Sequence, residues 1–143
     1  MEIKEIDIDD ALYEKTLDLR TQVISLPFGF TPPTKSNETP DSHMFIAMHN
    51  NQVIGFVMIT PSEDKKSIRA RQVAVKPDQQ RQGIGKLLMQ QAETAAKHLG
   101  YHELYLFAHK DSYPFFTKLN YAPQGDWQTQ DNGLATILMN KQL

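Results

Sequence analysis

Two glycines, one residue apart, occur where an apolar segment gives way to an amphipathic one. Gly83 and Gly85 follow the run VAVKPDQQRQ, and from Ile84 onward apolar residues recur at helical spacing. Glycine permits torsions and close approaches that a Cβ prevents, and the unpaired amides of a helix N-terminus attract phosphate. The pattern therefore predicts a loop that binds an anion, such as a phosphate group, through backbone N–H groups.

Basic side chains are concentrated on both sides of these glycines. Between residues 69 and 86 the only acid is Asp78, whereas the whole chain of 143 residues has a net charge of -2. The overall charge argues against a nucleic-acid partner, and we assign the local positive charge to the predicted loop. The basic residues are Arg69, Arg71, Lys76, Arg81 and Lys86.

Two common phosphate-binding motifs do not fit this spacing. A Walker loop needs a Ser or Thr where Leu87 stands, and a dinucleotide fingerprint needs a third glycine where Leu88 stands. The segment QRQGIG (residues 80–85) instead fits the pattern Q/R-x-x-G-x-G/A. With the preceding VAVKPD, it resembles the coenzyme A loop of the GCN5-related N-acetyltransferases, the GNAT family.

Further segments, in the expected order, extend this resemblance over nearly the whole chain. LRTQV (residues 19–23) is similar to an LR-x-x-V motif near the start of small family members, and SYPFFTKLNYAP resembles A-x-x-F-Y-x-K-x-G-F. The other matching segments are the apolar hairpin strand QVIGFVMIT, the strand RQVAV, the helix that leads to Gly100, and the terminal GLATILM.

The resemblance implies that acetyl-CoA is the acyl donor. The acceptor, a primary amine of a small molecule or peptide, would attack the thioester directly in a ternary complex. The strand before the loop, with Val73, Ala74 and Val75, would bind the pantetheine arm, and one of its N–H groups would polarise the thioester carbonyl. The loop that would hold the pyrophosphate consists of Arg81, Gln82, Gly83, Ile84, Gly85 and Lys86.

The sequence departs from the family pattern at the residue that would return a proton to the thiolate. Phe116 stands where relatives commonly have a tyrosine, so we count Phe116 only among the cofactor contacts. Tyr113 lies three residues earlier on a predicted helix and shares a helical face with Phe116, and we hypothesise that Tyr113 is the general acid. Two alternatives stay open: Tyr113 is a core or rim aromatic, or the thiolate leaves without a protein acid.

The base and the acceptor contacts are less defined. The strand SIRARQVAV lacks the glutamate that many relatives use, and His109 is the best titratable candidate for a base, although a lone histidine is more often a surface or hydrogen-bonded one. Arg20 could pair with a carboxylate of the acceptor, or it could be solvated or paired inside the protein. Phe28, in the proline-rich segment 27–42, could line the acceptor pocket or pack within its own loop.

The elements that must position these residues follow from the apolar pattern. It predicts an α/β or α+β fold, and the resemblance implies the GNAT form: a mixed, mostly antiparallel twisted sheet flanked by helices, with a splayed central strand pair. GLATILMN is expected to be an edge strand that could pair across a homodimer. The other predicted strands are IKEIDI, MFIAMH, QVIGFVMIT, SIRARQVAV and ELYLFAH, with Asn50–Asn51 as a tight turn.

Composition sets the remaining expectations. The length and a 40% hydrophobic content fit a single domain, residues 1–143, and the absence of cysteine excludes a thiolate-bound metal. The histidines form no recognisable metal site, and no apolar run approaches a membrane span, so we expect a cytoplasmic protein without a metal. The leading function is N-acetylation with acetyl-CoA. The alternative is a catalytically weak acyl-CoA-binding sensor or interaction module.

Overall fold

Seven strands form one sheet in the computed structural model, which describes residues 1–143. The strand order is β1-β2-β3-β4-β5-β7-β6, and every neighbouring pair is antiparallel except β4 and β5, which run parallel. The predicted mixed, mostly antiparallel sheet is therefore confirmed. The strands are β1 (Glu2–Ile6), β2 (His43–His49), β3 (Gln52–Pro61), β4 (Ile68–Val75), β5 (Glu103–His109), β6 (Ala122–Thr129) and β7 (Ala135–Gln142).

Helices cover both faces of this sheet. On one face, α1 (Tyr13–Arg20) continues through a π-helical turn (Thr21–Ser25) into α2 (Leu26–Phe28), which ends where Gly29 takes a φ of 72°. On the other face lie α3 (Ile84–His98) and α4 (Tyr113–Lys118). None of the helices is long and apolar enough to cross a bilayer.

The central strand β3 supplies both cores because its side chains alternate between the two faces. Phe56 and Met58 pack with Leu19 of α1 in one buried cluster. Val57 and Ile59 belong to the larger cluster, together with residues of α3 such as Leu88. The long apolar run of this strand thus reflects burial on both sides.

Asn50 and Asn51 form the predicted tight turn between β2 and β3. Their φ angles are 50° and 61°, and asparagine tolerates this left-handed region better than most residues. The resulting hairpin pairs His49 with Gln52, as the turn requires. The hairpin prediction is confirmed.

The C-terminal strands differ from expectation. Strand β6 was not predicted because nearly all of its side chains are exposed and it carries no apolar alternation. It pairs with β7, so β7 lies between β5 and β6. The expectation that GLATILMN forms an edge strand is therefore wrong, and with it the suggestion that this strand pairs across a homodimer.

Candidate active site

The loop between β4 and α3 leaves a row of backbone N–H groups without partners. Arg81 and Gly83 take left-handed torsions, with φ of 65° and 80°, and α3 begins without a side-chain cap. No amide from Arg81 to Lys86 donates a hydrogen bond within the protein, and the first bond of the helix runs from Leu87 N to the Gly83 carbonyl at 3.1 Å. The free amides lie at the positive end of the helix dipole, where phosphate groups bind.

The two glycines of the loop serve different purposes. Gly83 needs its positive φ, and a Cβ placed there would meet no atom within 4 Å, so open space lies beside the amides. Gly85 has ordinary helical torsions, but its Cβ would lie 3.0 Å from Cζ of Phe115. The second glycine therefore allows α4 to pack closely against the start of α3.

The side chains of this loop leave its positive charge available. Arg81, Gln82 and Lys86 are exposed, and neither Arg81 nor Lys86 takes part in an ion pair. Ile84 is buried and anchors the loop to the core. The assignment of all five basic residues to this loop is only partly correct. Arg69 and Arg71 lie earlier in β4, where Arg69 stacks on Phe107 and Arg71 donates to Thr39.

Strands β4 and β5 separate toward the loop. They pair only at Ile68 with Leu104 and at Arg69 with Tyr105, so the remainder of each strand is unpaired with the other. The expected splayed central pair is confirmed. Gln72 forms a bulge with φ of 58°, which shifts the register against β3 just where the strands part.

This separation changes the burial of β4. Val73 and Val75 are partly exposed along the opening, and only Ala74 is buried, so the apolar VAV run does not form a fully buried end of the strand. The Val75 carbonyl accepts a hydrogen bond from Nε2 of Gln80 at 2.9 Å, so this backbone group of the strand has a partner. The backbone of β4 at Val73–Val75, where the pantetheine arm is predicted to bind, has no partner in β5.

His109 lies at the C-terminal end of β5, packed against Phe28. Their ring centroids are 4.4 Å apart, and Asn132 donates a hydrogen bond to the Phe28 carbonyl, so α2, β5 and the β6–β7 turn meet here. The Nδ1 atom of His109 accepts the amide N–H of Asp111 at 3.2 Å, which places the proton of the neutral ring on Nε2. Burial lowers the pKa of His109, and the charge of Asp111 offsets part of that effect.

This hydrogen bond bears on the predicted role of His109 as a base. Its only acceptor nitrogen is already occupied, so the neutral ring offers a donor, Nε2–H, and a base role would require the Asp111 contact to break. Phe28 and His109, both named from the sequence, are brought together by the fold, on the side of the sheet that carries α1 and α2.

Tyr113 and Phe116, two of the three aromatic residues of α4, have different environments. Phe116 is 6% exposed and packs edge-on against Phe115 and Tyr121, which makes it a core ring and leaves little of it for a cofactor contact. Tyr113 is partly exposed, and its ring lies 5.5 Å from that of Trp127. Of the two, only Tyr113 retains access to solvent or a ligand.

Arg20 is held inside the protein. It is 2% exposed, stacks over the Phe56 ring at 4.6 Å, and donates from Nη2 to Glu38 at 2.8 Å and from Nε to Gln72 at 3.0 Å. Of the two possibilities raised for Arg20, internal pairing is therefore what the fold shows. The pairing ties the irregular segment after α2 to the bulge of β4.

A cavity of about 250 Å³ lies between that segment and β4. Arg71 borders it and donates to Thr39 Oγ1 at 3.0 Å. Sequence reasoning missed Glu38 in this wall, because its partner is 18 positions away and nothing in an irregular segment signals the contact. The lining residues are Arg20, Thr31, Pro32, Pro33, Asn37, Glu38, Thr39, Met58, Arg71 and Gln72.

A larger cavity, of about 560 Å³, lies at the opposite end of β4 and β5, between Lys65–Ser67 and the segment that follows α3. It is remote from the free amides and from the bulge. No group of three or more His, Asp or Glu side chains in the structure could hold a metal ion.

Comparison with a family model agrees with the arrangement described above. A model described as the acetyltransferase (GNAT) family matches residues 10–121, which include α1, the loop and α4. This match covers well over half of the 143 residues.

Solved structures with the same fold include an acyl-CoA N-acyltransferase from Pseudomonas aeruginosa, with a TM-score of 0.80, 19% identity and 98% coverage of both chains. An aminoglycoside 6'-N-acetyltransferase from Enterococcus faecium has a TM-score of 0.80 and 18% identity, over 99% of this chain and 97% of that one. A GNAT acetyltransferase from Elizabethkingia anophelis, solved with acetyl-CoA bound, has a TM-score of 0.75 and 16% identity, with the same coverage.

Proposed function

The chain belongs to the GNAT acetyltransferase family, and from that premise we propose that it transfers the acetyl group of acetyl-CoA to the primary amine of a small molecule. The observation that carries the proposal is the row of unpartnered amides from Arg81 to Lys86, beside open space at Gly83. We further propose that the N-acetyltransferase domain extends over residues 1–143, because β1 and β7 belong to the same sheet as the matched segment.

The chain's own residues are proposed to bind and orient the donor, which supplies a reactive thioester. The amides of the loop, with the exposed side chains of Arg81 and Lys86, would bind the diphosphate. The free edge of β4 at Val73–Val75 would align the pantetheine arm and direct an N–H group at the thioester carbonyl. These N–H groups need no rearrangement during the reaction, because the bulge and the sheet already hold them in position.

Tyr113 is the proposed general acid for the leaving thiolate. It is the partly exposed aromatic residue at the start of α4, whereas Phe116 has no proton to give and is buried. Packing against Trp127 would hold the Tyr113 ring in place. If the thiolate leaves without a protein acid, loss of this hydroxyl will have no effect on turnover.

The cavity beside the bulge supports a small acceptor. Its volume of about 250 Å³ lies just below the usual range for ligand pockets, roughly 300 to 1,000 Å³, and suits a small substrate. Its charged lining is Arg20, Arg71 and a single carboxylate, Glu38. This excess of positive charge opposes a polycation such as the aminoglycosides for which the Enterococcus faecium neighbour is named.

The proposed function is tested by titrating acetyl-CoA into the protein in a calorimeter and by measuring thiol release with a panel of small amines. Gly83→Val places a branched Cβ in the open space beside the amides and should weaken acetyl-CoA binding at least tenfold. Gly100→Val is the matched control, since Gly100 also has a positive φ and open space but lies at the other end of α3. It should bind acetyl-CoA like the wild type.

Each outcome separates the candidates. Equal affinity of the Gly83→Val variant and the wild type would refute the assignment of the loop. Tight binding of acetyl-CoA without thiol release for any amine would refute the enzyme assignment in favour of the sensor alternative.

A further inference from the structure

We propose that the acceptor carries a carboxylate as well as its amine, and that the cavity beside the β4 bulge binds this carboxylate through Arg71. The proposal rests on the proposed function, and it names the class of acceptor: a small amino acid or a similar amino-carboxylate. Three observations carry it, namely the unpaired arginines, the orientation of the Arg71 guanidinium group at the cavity, and the size of the cavity.

Two arginines on the same face of β4 lack a counter-ion. Neither Arg69 nor Arg71 takes part in any ion pair of the protein. Arg69 stacks over the Phe107 ring at 4.8 Å, and its Nε atom is buried without a partner. Burial, and secondarily the charge of Arg71, lowers the pKa of Arg69. A bound anion would relieve this accumulation of uncompensated charge.

Arg71 presents its guanidinium group at the cavity itself. Its Nη1 atom is held by Thr39 Oγ1 at 3.0 Å, which fixes the orientation of the group. The donors that remain on this planar fork have the geometry that a carboxylate accepts in two parallel hydrogen bonds. Thr39 is next to Glu38 in the chain, so the guanidinium group of Arg71 and the carboxylate of Glu38 lie in the same wall of the cavity.

The Arg20–Glu38 pair belongs to the same wall but does not supply the anion-binding group. Arg20 is 2% exposed, and both residues lie beside the buried Tyr13 hydroxyl, whose pKa is raised by burial and then by the charge of Glu38. Buried polar atoms in folded proteins normally interact with one another, and the buried atoms of Arg20 and Glu38 face Tyr13. Arg71 is therefore the cation of the wall that stays available to a carboxylate.

The size of the cavity restricts the acceptor further. A volume of about 250 Å³ is enough to hold an amino acid. The cavity includes Gln72, the bulge residue that immediately precedes Val73 on the free edge of β4. An acceptor bound here would therefore present its amine beside the strand proposed to hold the thioester.

The experiment compares matched acceptors that differ only in the carboxylate. Common L-amino acids, their carboxamides and the corresponding decarboxylated amines are assayed by thiol release with acetyl-CoA, and the binding of each pair to the free protein is measured by calorimetry. For every amino acid that the enzyme acetylates, kcat/KM and binding affinity should both be at least tenfold higher than for the corresponding carboxamide. This order cannot come from intrinsic reactivity alone, because the carboxamide has the less basic amine and more of it is neutral.

Variants then assign the preference to Arg71. Arg71→Gln should lower kcat/KM for the acid about tenfold to a hundredfold, mainly through KM, and bring the acid-to-amide ratio toward one. Arg71→Lys, which keeps the charge but not the fork, should recover part of the preference. Lys97→Gln removes one positive charge from the exposed end of α3 and should leave the preference unchanged.

The results separate this inference from the proposed function. If carboxamides or decarboxylated amines are acetylated as well as the acids, the carboxylate site is wrong and the acetyltransferase assignment stands. If Arg71→Gln lowers turnover equally for acids and amides, Arg71 does not bind the carboxylate of the acceptor. If no amine of any kind releases thiol, the proposed function fails and the inference fails with it.

Discussion

Replacing Arg20 with methionine should destabilise the fold strongly, although the new side chain is apolar and of suitable length. The substitution leaves Glu38 with a carboxylate that is 8% exposed and has lost its cation. It also removes the hydrogen bond to Gln72 and the stacking on Phe56. Breaking one side of a buried ion pair costs about 3 to 5 kcal/mol, because the remaining charge stays out of water without compensation.

The corresponding shift in the melting temperature follows from the size of the chain. At about 2.1 cal/mol/K of unfolding entropy per residue, 143 residues lose roughly 1 °C for every 0.3 kcal/mol. Arg20→Met should therefore melt about 10 to 17 °C below the wild type. The double variant, Arg20→Met with Glu38→Leu, removes both charges and should recover most of this loss.

The assay is urea unfolding of the four proteins of this double-mutant cycle. Trp127, the only tryptophan, packs against Tyr113 and reports the loss of tertiary structure by fluorescence, and far-UV circular dichroism checks that unfolding is two-state. A loss below about 1 kcal/mol for Arg20→Met would refute the reasoning, since that is the scale of an exposed pair. So would a double variant that loses the sum of the two single losses.

Two further predictions concern the site. Tyr113→Phe should lower kcat about tenfold or more, because the variant has no proton to give to the leaving thiolate. Unchanged turnover at every pH would remove Tyr113 as the acid. The folded-state pKa of His109 lies below its unfolded value, so as pH falls below about 6.5 the unfolded chain takes up the proton first and stability is lost. His109→Gln should lose less stability than the wild type between pH 7 and 5, measured as the urea midpoint, and equal losses would contradict this.

The sequence was most informative where one local rule acts alone. The positions of α3 and of the β2–β3 hairpin followed from periodicity and from Asn50–Asn51, because helix faces and tight turns depend on neighbouring residues. Gly83 and Gly85 located the loop for the same reason. Strand β6 could not be predicted, since its backbone pairs with β7 while its side chains remain in solvent and leave no apolar signal.

The acceptor side depended on contacts between distant segments. Glu38 is recognisable as part of the site only once the fold brings it to Arg20, and Arg71 looks like a member of the loop until its contact with Thr39 is seen. The apolar VAV run at residues 73–75 gives no sign of its partial exposure, because apolar composition does not show that β5 is unpaired with this part of β4. Local patterns therefore indicate the proposed donor site, whereas the proposed acceptor site depends on tertiary structure.

The borders of the sheet also affect how the protein behaves at high concentration. On β6, Pro123 removes one N–H group, and two more residues of β6 than of β7 lie between the pairs at Gln124 and Gln128, which distorts the ladder. At the other border β1 is short and carries charged side chains such as Lys4 and Glu5. Both borders are poor templates for cross-β growth, so this chain should resist fibril formation even when crowded.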